Sequence, residues 1–201
     1  MPKQRSRDSV FLNIPYDSKF ESLFLSYICA IHAYRMDPRV TLEIPGGTRR
    51  LDRIFRLIQS CRYSMHDLSR VQLDRAKPRT PRFNMAFELG LAVAWEMMGP
   101  RHVWFVMEAV DRRLAKSLSD LNGTDPYIHG GTIDGVFREM GNALVRKGRQ
   151  PSVPEMWSIY REVRGKIPSI LERCGASSVF QARVFQEISF AANVAAGGIV
   201  R

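Results

Sequence analysis

At 201 residues with 45% hydrophobic content, the chain is sized for one domain, or one domain with an appendage, and has enough apolar side chains for a sizeable core. No run of about 18 apolar residues occurs, and Pro2 to Asp8 lead into a strand pattern without a signal-peptide core, so a soluble cytoplasmic protein without a membrane partner is expected. Lys and Arg outnumber Asp and Glu by 30 to 20, a net charge of +10 that favours an anionic partner. The arginines are scattered, however, without aromatic interleaving, a helix-turn-helix or a zinc pattern, so nucleic acid is less favoured than an acidic protein or a phosphate-bearing small ligand. Cys29, Cys61 and Cys174 are odd in number and lack metal-ligand spacing, which points to reduced thiols and no metal.

Ser9 to Pro15 reads as a short apolar strand ended by proline, suited to a sheet covered on both faces. Asn13, Pro15, Tyr16 and Asp17 fall at its carboxyl end, where open α/β sheets bind ligands. Ser18-Lys19-Phe20-Glu21 has capping-box form, and Phe20, Leu23, Phe24, Tyr27, Ile28 and Ile31 keep helical spacing to Tyr34. Val40 to Ile44 alternates as a second strand. Gly46-Gly47 then turns the chain, with room for a phosphate on its N–H groups, into an amphipathic helix with Leu51, Ile54, Phe55 and Ile58 on its apolar face.

Arg62 to Ser69 is an unusually polar strand, placing His66, Asp67 and Ser69 at a second carboxyl edge. Val71 to Thr80 is a charged loop long enough to act as a lid. The helix that follows, opened by Pro81, Arg82, Phe83 and Asn84, is apolar on almost every side and is expected to be buried on most of them, yet carries Glu88 in its first two turns. A carboxylate there is costly unless paired, hydrogen-bonded or used. Neutralisation by an arginine is the structural alternative to a functional role. His102 to Met107 predicts a fourth strand, Tyr127 to His129 a short edge strand, and about Thr132 to Arg146 a helix. After a boundary at Lys147 to Gln150, two helices follow, the first capped by Ser152 and Glu155 and interrupted or restarted at Pro168.

These elements predict an α/β flavodoxin-like three-layer sandwich, its mostly parallel sheet in the order 2-1-3-4-5, over residues 8–148, with a C-terminal helical extension over 149–201. With them placed, the chain resembles the bacterial TIR-like group related to nucleoside 2-deoxyribosyltransferases. The resemblance lies in Val10 to Asp17, in Arg62 to Arg70, and most specifically in Pro81-Arg82-Phe83-Asn84-Met85-Ala86-Phe87-Glu88-Leu89-Gly90-Leu91-Ala92, similar to that group's Glu-Leu-Gly helix. It spans Val10 to Arg146 and leaves the C-terminal helices aside. The polar third strand and the long basic loop after Asp67 depart from the deoxyribosyltransferase pattern and favour phosphate-bearing substrates.

The resemblance implies N-glycosidic chemistry. Glu88 would be the nucleophile or oxocarbenium stabiliser, and Asp67 would contact the sugar as its catalytic companion. Asn13, Pro15, Tyr16, Asp17, His66, Ser69, Arg82 and Asn84 would line the substrate pocket. NAD or another nucleotide would be the substrate, with no cofactor, in a homo-oligomer that could act with a partner protein encoded beside it in a stress or antiphage response. Two alternatives stay open: deoxyribosyl transfer or hydrolysis on nucleosides or nucleotides, and a non-catalytic nucleotide-sensing or protein-interaction module in which an arginine locks Glu88.

Overall fold

The computed structural model describes residues 8–43, 49–70, 77, 83–99, 101–145 and 147–199. Five strands, β1 (Ser9–Asn13), β2 (Asp37–Val40), β3 (Tyr63–Asp67), β4 (Val103–Glu108) and β5 (Tyr127–Ile128), form one sheet in the order β2-β1-β3-β4-β5. Every pairing is parallel, and Asn13 lies in register with His66. The helices are α1 (Glu21–Ala33), α2 (Arg50–Ser60), α3 (Phe83–Met97), the short α4 (Arg113–Ser117), α5 (Ile133–Ala143), α6 (Val153–Cys174) and α7 (Ala182–Ile199). This is the flavodoxin-like α/β layout.

Strand alternation divides the core into two layers. Val10, Leu12, Met65 and Met107 pack toward α1 and α5, whereas Phe11 and Val106 belong to the clusters under α2 and α3. The C-terminal helices join the first layer: Val163, Ile167, Phe185 and Ile188 share one cluster with α1 and the strands. Helix α1 therefore lies between the sheet and a second helical layer, so Leu23 to Ala33 are all buried and its sequence has little amphipathic contrast.

Several local expectations shift. The second strand starts at Asp37 and ends at Val40. Pro38 is tolerated because β2 is an edge strand, and Glu43 turns the chain by accepting from Val40 N at 2.8 Å and Arg39 Nε at 3.1 Å. Ser18 and Glu21 do not form a capping box; Asp17 accepts from Lys19 N at 3.1 Å, and a 3₁₀ turn over Ser18–Phe20 precedes α1. Helix α6 runs unbroken through Pro168, which lies on its exposed side while Val163, Ile167 and Ile170 hold both halves to the core. Its predicted Ser152 and Glu155 capping box is present.

Helix α3 is buried along only one face, through Met85, Glu88, Leu89 and Ala92; Phe83 is 69% and Phe87 54% exposed. Leu51, assigned to the buried face of α2, is exposed. The Gly46-Gly47 turn, Arg82 and the proposed lid, apart from Lys77, lie outside the described residues. Among the described residues, no helix is long and apolar enough to cross a membrane.

Candidate functional site

A cleft of about 310 Å³ opens at the carboxyl end of β1, at the small end of the range for ligand pockets. Leu12 to Tyr16 form one wall, Asn84, Met85 and Glu88 of α3 another, and Thr41 and Arg50 close the side below β2 and α2. Strand β1 ends at Asn13, two residues before Pro15, and Asn84 and Glu88 of α3 turn polar side chains toward the opening.

Glu88 is 5% exposed, and its carboxylate has no hydrogen bond or ion pair among the described residues. Desolvation pushes its carboxyl up to about 7, and the Arg50 charge pulls against that rise. A carboxyl so held is divided between acid and anion near neutral pH, which suits a group that must act as an anion or exchange a proton.

Tyr16 is the second polar fixture. Its hydroxyl oxygen accepts from Thr41 N at 3.3 Å and Thr41 Oγ1 at 3.1 Å, leaving its own O–H available as a donor. Burial, opposed by the Thr41 hydrogen bonds and assisted by the Glu88 charge, pushes the phenol up to about 12, so it remains a donor. The ring is held by Phe24 and Phe180, with centroids 6.1 and 5.9 Å away, so the segment joining α6 to α7 supports the cleft wall.

The remaining expected site residues lie elsewhere. Asp67 is fully buried on the α1 face, accepting from Tyr27 Oη at 2.8 Å and Ser69 N at 2.9 Å. His129 Nε2 also lies 3.1 Å from Asp67 Oδ2, close enough for an electrostatic contact but out of line for a well-directed hydrogen bond. Beside this cluster, Glu108 accepts from Arg113 Nε at 2.9 Å, and Arg113 donates to Ser69 O at 2.8 Å. Asp17 pairs with Arg70 at 3.5 Å. His66 is fully buried, lies 2.9 Å from Asn13 of the cleft wall and does not itself line the cleft.

Asn13, Pro15, Tyr16, Asn84 and Glu88 are thus brought together, while Asp67, Ser69, Asp17 and His66 do not line the cleft. Arg50 and Thr41 were not among the expected site residues. Arg50 is one arginine in a run of similar ones, and Thr41 was assigned to a strand.

Fold and cleft define an α/β protein of flavodoxin-like layout with a buried carboxylate, unpartnered among the described residues, at the carboxyl edge of its sheet. Compared with known proteins, the chain matches no family model, no curated protein and no solved structure. Among the described residues, no group of three or more His, Cys, Asp or Glu side chains is placed to hold a metal ion.

Proposed function

We propose that this cleft cleaves an N-glycosidic bond, with Glu88 as the working carboxylate and a nicotinamide dinucleotide as the substrate. The observation that carries the reading is Glu88 itself: buried, without a partner among the described residues, and lining an open cleft. An arginine lock on this carboxylate, the feature that would favour a non-catalytic module, is not found among the described residues.

In the proposed reaction the C1′–N bond breaks with its electron pair passing to the pyridinium nitrogen, so nicotinamide leaves neutral and needs no general acid. Positive charge builds on the sugar, and the Glu88 carboxylate stabilises or captures it in a site largely removed from water. Water then attacks C1′ and gives up a proton, yielding nicotinamide, ADP-ribose and H⁺. Arg50 supplies a cation for substrate phosphate, and Tyr16 and Asn13 offer polar groups to the sugar. The resemblance of the α3 segment to the Glu-Leu-Gly helix of the deoxyribosyltransferase-related group supports the same assignment.

The modest cleft volume favours a second reading, in which a single nucleoside or nucleotide is the substrate and Glu88 takes up its deoxyribosyl group. The test is release of nicotinamide from NAD at high protein concentration, alongside base release from deoxynucleosides, with wild type and Glu88→Gln. Nicotinamide release lost in Glu88→Gln is expected. Base release alone would move the assignment to the second reading, and release of neither would discard glycosidic chemistry.

A further inference from the structure

Beneath the cleft, four side chains link two backbone carbonyls through one continuous hydrogen-bond chain. Met85 O and Cys61 O can only accept, so the ends determine where every proton between them lies. Met85 O takes a hydrogen from Asn13 Nδ2 at 2.8 Å, which orients the carboxamide. The second Nδ2 hydrogen faces His66 Nδ1 at 2.9 Å, making that nitrogen the acceptor and leaving the ring proton on Nε2. Nε2–H donates to Ser64 Oγ at 2.9 Å, and the Ser64 hydroxyl donates onward to His102 Nε2 at 2.9 Å. His102 then carries its proton on Nδ1 and donates it to Cys61 O at 2.9 Å.

One tautomer of each ring satisfies every link with both rings neutral. Burial, with the His102 charge next, brings His66 down to about 3, and burial also lowers His102, both in the direction of neutral rings.

The arrangement leaves one group over. Both amide hydrogens of Asn13 are engaged behind the cleft, while its oxygen has no partner among the described residues. Asn13 is only 3% exposed and lines the cleft, so the oxygen is the polar group its side chain offers there. A free asparagine can flip to present either a donor or an acceptor. This one cannot flip without setting its oxygen against Met85 O and disturbing both rings.

We propose that His66 is a positioning residue: as the Nε2–H tautomer it holds the Asn13 carboxamide with its oxygen toward the cleft, so that Asn13 accepts a hydrogen bond from a sugar hydroxyl of the ligand. The identity of the ligand rests on the glycosidic reading of the cleft, whereas the tautomer chain does not. The consequence is selectivity, because a ligand presenting only an acceptor at this point meets lone pair against lone pair.

Two measurements test the proposal. In the intact chain labelled with ¹⁵N-histidine, NMR is expected to show His66 neutral with its proton on Nε2 and His102 neutral with its proton on Nδ1. The opposite tautomer or a charged ring at His66 overturns the proposal, whether or not any variant folds. Calorimetry with D-ribose 5-phosphate then probes the hydroxyl contact in wild type, Asn13→Leu, His66→Phe and His66→Asn. Asn13→Leu and His66→Phe should each weaken binding about three- to tenfold, the effect of one neutral hydrogen bond. His66→Asn, which can place an acceptor oxygen near the position of Nδ1, should recover most of the loss.

Equal affinity in wild type and His66→Phe, or no binding of the probe by the wild type, overturns the proposal. Absence of nicotinamide release with these results in place would remove the glycohydrolase reading and leave the Asn13 assignment standing. A reversed His66 tautomer with nicotinamide release intact would do the opposite.

Discussion

Arg50 stands in the same cleft as Glu88 without forming an ion pair with it among the described residues, and its charge opposes the desolvation that raises the Glu88 carboxyl. Among the described residues both groups are therefore left to a ligand, one anionic when ionised and one cationic, lining a single opening. A tight pair would have neutralised both.

If the ionised carboxylate is the active form, kcat/KM for nicotinamide release should rise as pH passes about 7 and level off above it, following the raised Glu88 carboxyl. Arg50→Gln removes the opposing cation, so the rising limb should move to higher pH. Rate profiles of the two proteins check this, and an unmoved limb would detach Arg50 from Glu88.

The same shift has a stability consequence. The folded state holds the Glu88 proton more tightly than the unfolded chain, so this group's contribution to stability is present below about 4.5, the ordinary value, and is lost as pH rises through about 7. Glu88→Gln should resemble the wild type at pH 4 and exceed it at pH 8 by up to about 3 kcal/mol. Denaturant unfolding at both pH values measures the difference.

Gly135, in the first turn of α5, sits against the end of β5. A Cβ at this position would fall 1.8 Å from His129 O, a backbone atom that cannot rotate away. Gly135→Ala should cost about 3 kcal/mol or more, visible as a large drop in Tm or loss of soluble protein.

The C-terminal helices share one apolar cluster with α1 and the strands. Removing residues 149–201 would expose the outer face of α1 and take Phe180 from its contacts with Phe24 and Tyr16. The truncated chain should lose cooperative unfolding and bind a hydrophobic dye. Phe180→Ala in the full chain should keep the fold while destabilising it by about 2 kcal/mol.

Much of the site was legible locally. Glu88 stands out because an apolar helix surrounds a carboxylate, and Asn13 and Tyr16 because they border a proline at the carboxyl end of a strand. His66 and Asp67 show where local reading stops. They are adjacent in sequence, but the pleat sends them to opposite faces: His66 pairs with Asn13 on the α3 side, while Asp67 meets Tyr27 of α1. Pairing Asp67 with Glu88, as the resemblance implies, misses that parity. Arg50 was hidden differently, since its role depends on which arginine of a run the fold turns toward Glu88.

Strand and helix periodicity, with turn residues between them, determined the βα order and hence the parallel sheet, because those signals arise from neighbours a few residues apart. Tertiary structure alone decided that α1 is enclosed between sheet and C-terminal helices, that Pro168 does not break α6, and that α3 buries only one side. Each of these depends on what packs against a segment from far along the chain, which local spacing does not encode. The cleft belongs to the same class: its carboxylate is visible in one helix, but its lack of a partner among the described residues is a property of everything folded around it.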